Sequence, residues 1–167
     1  MKYVYWDSNC FIGYLQNEPD TADVLENIIR LAEDGVLRIV TSAFTITEVV
    51  KFKGADGVLR KPIGSEEEAY LDSCFSPESG IITTNVDIVT ARMARRAIWE
   101  LDVDTKDSVH VASAMQFKRS GLMKDGDELV FHTFDKKLLK KADGVDNIRF
   151  EAPKIEDYPY QQEFDLE

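Results

Sequence analysis

The stretch that most constrains this chain is Lys2 to Trp6, reading Lys-Tyr-Val-Tyr-Trp, with Asp7 directly behind it. Aromatic and β-branched side chains without polar alternation fit a strand buried on both faces, such as a central strand of a parallel sheet. Asp7 then falls at the carboxyl end of that strand, the edge of an open α/β sheet where loops and helix N-termini converge and ligands bind. Two readings stay open. Asp7, Ser8 or Asn9 caps a following helix, Cys10 to Leu15, or Asp7 carries chemistry.

Length makes this one domain that needs no staple, since 167 residues bury roughly two thirds of the unfolded chain's surface. Cys10 and Cys74 have no metal or disulfide spacing, polar residues appear by Asp7, and no apolar run has the length of a membrane span. A reduced, cytoplasmic protein without membrane association is the expectation. The net charge of -11 repels polyanions at long range. A nucleic-acid substrate therefore requires locally gathered basic residues and acids neutralised by cations.

Along the chain, helix signals run from Asp20 to Asp34, with Leu25, Ile28, Ile29 and Ala32 on one face and Gly35 closing it. Val36 to Thr41 reads as a strand and Thr45 to Phe52 as a helix with Glu48 in its middle. The glycines, proline and basic residues of Lys53 to Gly64 predict a loop. Ser65 to Phe75 reads as a helix opened by three glutamates, Ile81 to Thr84 as a short strand, and Asn85 to Leu101 as a long helix. Asp107 to Ser120 is apolar on most sides and carries Ala112, Ser113 and Ala114, as suits a helix packed closely on a sheet. Leu129 to Thr133 and Ile148 to Phe150 read as strands flanking a short helix, Asp135 to Ala142. This alternation predicts a doubly wound, mostly parallel sheet over residues 1–150. Residues 151–167, with six acids and one lysine, read as an acidic, solvated C-terminal tail. Tyr158, Tyr160 and Phe164 leave open an anchoring role for that tail.

Parallel strands bring their carboxyl ends to one side, so Asp7, Glu48, Asp107 and Asp135 are expected to crowd together. Each has an ordinary alternative, as a helix cap or a solvated mid-helix glutamate. Crowded carboxylates call for a cation, and Mg²⁺ or Mn²⁺ prefers oxygen ligands. Asp104 lies one turn ahead of Asp107 and is a candidate to share its role. His110 either orients a ligand or is a packed residue with a satisfied nitrogen. Ser8, Asn9 and Thr133 are candidate supporting groups or plain turn residues.

At these positions the sequence resembles the PIN-domain nucleases. The segments carrying the resemblance are Asp7-Ser8-Asn9, Thr47-Glu48, Lys106-Asp107-Ser108-Val109-His110-Val111-Ala112-Ser113-Ala114 and Thr133-Phe134-Asp135. The resemblance implies a three-layer α/β/α sandwich and metal-dependent hydrolysis of RNA, leaving a 5′-phosphate and a 3′-hydroxyl, with Asp7, Glu48, Asp107 and Asp135 as catalytic, metal-holding acids. Many relatives are VapC-like toxins, commonly homodimeric and held inactive by a small antitoxin protein. This chain is longer than the compact toxins around Lys53 to Gly80 and after Phe150, which bears on the toxin assignment more than on the nuclease assignment.

Metals on these acids would neutralise the scissile phosphate and activate water, so no nucleophilic side chain is required. Haloacid-dehalogenase-like phosphotransfer is ranked low, because it wants a second aspartate where Asn9 stands. The alternative from another class is a catalytically silent PIN-like module that binds RNA or protein. Arg92, Arg95 and Arg96, with Trp99 beyond them, and Lys51 and Lys53 are the candidate RNA-binding residues. Their ordinary reading is a solvated surface paired with nearby acids.

Overall fold

Lys2–Trp6 forms β1 in the middle of the sheet, as its unbroken apolar character requires. The computed structural model describes residues 1–19, 21–54, 58–76 and 78–160, leaving aside the side chains of Lys53, Leu59 and Arg60. After β1 come α1 (Ser8–Leu15), α2 (Ala22–Glu33), β2 (Leu37–Ser42), α3 (Phe44–Glu48), β3 (Lys51–Lys53), β4 (Leu59–Pro62), α4 (Ser65–Cys74) and β5 (Ile82–Thr84). The second half holds α5 (Ile88–Leu101), α6 (Thr105–Arg119), β6 (Glu128–His132), α7 (Lys136–Ala142) and β7 (Arg149–Glu151).

Five strands pair in the order β5-β2-β1-β6-β7, all parallel. The chain winds from β1 to β2 on one side and returns to pair β6 on the other, so β1 marks the point where the winding direction reverses. That is where a crevice opens at the carboxyl edge.

The pleat of β1 divides the core. Val4 and Trp6 point to one face, where Phe11, Leu25, Ile28 and Leu71 of α1, α2 and α4 cover them. Tyr5 points to the other, with Ala97, Val111, Ala114, Phe117 and Leu138 of α5, α6 and α7. The result is the expected three-layer α/β/α sandwich. The small residues of α6 are buried almost all round, because that helix lies between the sheet and α5.

Two expectations need correction. The helix predicted from Thr45 to Phe52 stops at Glu48, where Val49 adopts φ -84 and ψ 68 and Val50 N–H bonds to Glu48 O at 2.9 Å. That is an inverse γ-turn. It launches an antiparallel hairpin of β3 and β4, which replaces the predicted helix end and much of the loop. Residues 55–57 of that loop lie outside the described residues.

The expected solvated tail does not begin at Glu151. Glu151 pairs with His132 in the sheet, and Tyr158 is buried against the α2 face at 1% exposure. The Tyr158 hydroxyl lies 2.7 Å from His132 Nε2, its carbonyl accepts Asn27 Nδ2, and Lys2 Nζ sits 4.0 Å over its ring. Tyr160 packs beneath the Arg30 guanidinium, so the anchoring reading holds through Tyr160. Phe164 lies outside the described residues. No helix among the described residues is long and apolar enough to cross a membrane.

Candidate functional site

The carboxyl edge gathers the acids by way of helix starts. Asp7 ends β1 and caps α1, its Oδ1 accepting Cys10 N–H at 3.2 Å. Asp104 caps α6 through Oδ1, to Lys106 and Asp107 N–H, both at 2.9 Å. Asp135 follows β6 and caps α7 through Oδ1, to Lys137 and Leu138 N–H at 2.7 and 3.2 Å. In each case one oxygen answers a free helix N–H. The capping reading is therefore correct for Asp7 and Asp135, whereas α6 starts two residues before Asp107 and is capped by Asp104 in its place.

Asp7, Ser8, Asn9, Glu48, Asp104, Asp107 and His110 line a cleft of 150 Å³ beside Lys106. Asp135 lines an adjoining cleft of 370 Å³ with Asp102, Lys137 and Lys141, and Asp104 and Asp107 form the wall common to both. Of the four signature acids, three share one cleft and the fourth stands across Asp107 from them.

Asp107, in the first turn of α6, accepts no hydrogen bond on its carboxylate among the described residues. Burial, then the charges of Asp104, Asp135 and Asp7, push it up to about 7, against a partial offset from His110. Burial also raises Asp7, 2% exposed, although His110 and hydrogen bonds from Thr133, Cys10 and Asn9 hold it down in part. Glu48 differs. Burial would raise it, but His110, Ser8 and Lys106 outweigh that and leave it below the usual carboxylate range. Its Oε2 lies 2.6 Å from His110 Nε2 and accepts Ser8 Oγ at 3.0 Å, and its Oε1 lies 3.4 Å from Lys106 Nζ.

As the side chains stand, no three Asp, Glu, His or Cys groups among the described residues converge as a ready metal cage. The capping bonds explain this, because they turn Asp7, Asp104 and Asp135 toward their own helices. The donor chemistry nonetheless fits a hard divalent cation. The ligand atoms on offer are carboxylate oxygens, and Asp107 stands among the charges of Asp104, Asp135 and Asp7.

Thr133 is buried, with its hydroxyl accepting Asp135 N–H at 3.0 Å, so it acts as turn residue and as Asp7 partner together. The candidate RNA-binding groups lie elsewhere. Arg92, Arg95 and Arg96 are exposed on α5, with Arg95 4.4 Å over the Trp99 ring and Arg96 paired to Glu100 at 2.6 Å. Lys51 is exposed on β3, and the side chain of Lys53 lies outside the described residues. The cations that line the two clefts are Lys106, Lys137 and Lys141. Sequence pattern alone assigns these three no role, though Lys106 stands inside the longest motif. It also makes Tyr5 plain core, yet the Tyr5 hydroxyl lies 3.0 Å from His110 Nδ1. The available signal is the cost of a hydroxyl in the middle of a doubly buried strand, which demands a partner.

Residues 4–144 match the sequence model of the PIN domain. No curated protein matches the chain. Among solved structures, the chain is similar to one in the crystal structure of VapBC2 from Rickettsia felis bound to a DNA fragment from their promoter. The likeness covers 91% of this chain and 98% of that one, with 16% identity and a TM-score of 0.55. At that identity the likeness is one of fold.

Proposed function

Because the chain belongs to the PIN-domain family, we propose that it is a metal-dependent endoribonuclease that hydrolyses RNA phosphodiester bonds with Mg²⁺ or Mn²⁺. The observation that carries this reading is the wall common to the two clefts, where half-buried Asp107 stands among Asp7, Glu48, Asp104 and Asp135, and burial, then the neighbouring charges, raises its affinity for a proton. Carboxylates crowded and partly buried in this way are suited to a divalent cation.

Asp7, Glu48, Asp107 and Asp135 would hold the metal, with Asp104 beside them. When bound, it supplies positive charge against the scissile phosphate and makes water a stronger acid. The chain's own residues do the rest. Ser8 and His110 fix Glu48, Thr133 steadies Asp7, Asn9 borders the cleft, and Lys106, paired with Glu48 at the rim, would be the cation nearest to a bound phosphate. Arg92, Arg95 and Arg96 with Trp99, and Lys51 and Lys53, would bind RNA away from the cleavage point.

On the resemblance of its motifs to the VapC-like toxins, we extend the proposal to a toxin in the cytoplasm, a homodimer restrained by an antitoxin protein. The test is incubation of the pure protein with RNA and DNA in Mg²⁺, Mn²⁺ or chelator, beside Asp7→Asn. Cleavage of RNA that chelator and Asp7→Asn both abolish supports the proposal. A protein whose melting temperature does not respond to Mn²⁺, and which cuts nothing, is instead the silent binding module.

A further inference from the structure

A polar chain runs from the sheet core to the cleft, and packing alone does not require it. Tyr5 is fully buried in β1, with its ring stacked 4.7 Å from that of Phe131. Phenylalanine would fill this place at lower cost, because a buried hydroxyl must recover the hydration it gave up. The Tyr5 oxygen lies 3.0 Å from His110 Nδ1, and His110, 2% exposed, lies through Nε2 2.6 Å from Glu48 Oε2. The chain thus joins a core hydroxyl to a signature acid.

Its direction follows from the donors and acceptors around each group. Ser113 Oγ donates to Ser42 Oγ at 3.1 Å beside the Tyr5 hydroxyl. The Glu48 carboxylate can only accept, so its 2.6 Å contact needs a donor at Nε2, and Nδ1 is the acceptor of the Tyr5 O–H. That leaves the imidazole proton on Nε2, where it donates to Glu48. The two oxygens of Glu48 are consequently unlike. Oε2 accepts from both His110 and Ser8, whereas Oε1 meets the ammonium of Lys106 at 3.4 Å on a largely exposed side chain.

We propose that Tyr5 and His110 are positioning residues that tie down Glu48 Oε2 and so present Oε1 alone to a divalent cation in the cleft, with the Lys106 ammonium as the group the cation displaces. This rests on the metal-dependent reading above. It adds that Glu48 binds through one oxygen, that the ligand is held from the sheet core, and that Lys106 is released toward substrate once the metal enters. Partners of a ligand that hold its orientation are worth about 10- to 100-fold in metal affinity.

The test is Mn²⁺ titration calorimetry on the full chain, comparing wild type with Tyr5→Phe, His110→Leu and His110→Gln. Tyr5→Phe keeps the ring packing and loses the O–H. His110→Gln keeps an N–H for Glu48 without needing Tyr5. Tyr5→Phe and His110→Leu are expected to weaken Mn²⁺ about 10- to 100-fold, His110→Gln to retain most of the affinity, and Tyr5→Phe to cause no further loss in the His110→Gln background. A merely structural role would lower the melting temperature of Tyr5→Phe with its Mn²⁺ affinity unchanged, and that result overturns the proposal. If Tyr5→Phe fails to fold, nitrogen NMR of the His110 ring in the wild type decides, since a proton on Nδ1 contradicts the relay and one on Nε2 supports it. A wild type that binds Mn²⁺ without cutting RNA removes the nuclease reading and leaves the relay to be judged by affinity. A wild type that binds no Mn²⁺ overturns both.

Discussion

Asp104 accepts the backbone N–H of Asp107 at 2.9 Å, so the residue that starts α6 also sets a negative charge beside the acid three positions on. One hydrogen bond thereby joins folding to the chemistry of the cleft. The helix needs an acceptor at its first turn, and the acceptor chosen makes ionisation of Asp107 harder.

Asp107→Asn should therefore stabilise the protein without metal while removing its response to Mn²⁺. The Asp107 carboxyl is raised from 3.8 to about 7, so between those values the folded chain keeps a proton that the unfolded chain has lost. Stability from this group is full below the unfolded value and declines as pH rises toward 7. Screening of a half-exposed group limits the gain from Asp107→Asn at neutral pH to the order of 1–2 kcal/mol. Denaturant melts from pH 4 to 8 would show the variant less sensitive to rising pH. A variant as pH-dependent as wild type contradicts the assignment.

Asp7→Asn separates the cap from the ligand. An asparagine oxygen still accepts Cys10 N–H, so the start of α1 and the melting temperature should survive. Metal-dependent RNA cleavage should fall at least about 100-fold, the scale on which a single charge-stabilising group acts. Wild-type cleavage by a preparation shown free of contaminating nuclease would remove Asp7 from the site.

Much of this arrangement is legible in the sequence because strand period and helix caps are local signals. The doubly buried β1, the placement of Asp7 at its end and the small-residue face of α6 follow from neighbouring side chains alone. The turn at Val49 is not legible, because a single γ-turn after Glu48 competes with a helical pattern that continues on paper to Phe52. The burial of Tyr158 is hidden for a different reason. Its neighbours are polar and acidic, and its partners His132, Asn27 and Lys2 come from distant parts of the chain. The relay through Tyr5 depends likewise on a contact spanning 105 positions, which no local pattern encodes.

Replacing Arg92, Arg95 and Arg96 together with alanine should weaken RNA binding and flatten its salt dependence. For single-stranded RNA, every phosphate that the protein ceases to neutralise lowers the slope of log affinity against log salt by about 0.7. The existing partners, Trp99 for Arg95 and Glu100 for Arg96, lie on the surface and cost little to give up. Binding measured from low to high salt with an uncleavable RNA checks this. An unchanged slope would assign the arginines to their own helix.

Ending the chain after Pro153 should destabilise the fold rather than trim a tail. The cut removes Tyr158, which fills the α2 face and partners His132 Nε2, and losing a buried aromatic side chain costs about 3–5 kcal/mol. A chain ended after Tyr160 retains that anchor and should melt close to the full-length protein. The anchor lies on the α2 face of the sheet and the arginines of α5 on the opposite face, so its first effect is on stability and not on RNA affinity. The burial of His132 shapes the acid limit. Burial holds His132 below its usual value of 6.5, so once pH falls below 6.5 the unfolded chain takes up a proton that the folded chain refuses, and stability declines. This loss on acidification opposes the gain from Asp107, and Asp107→Asn should expose it alone. If that variant shows no decline between pH 6.5 and 5, His132 is not held neutral by its burial.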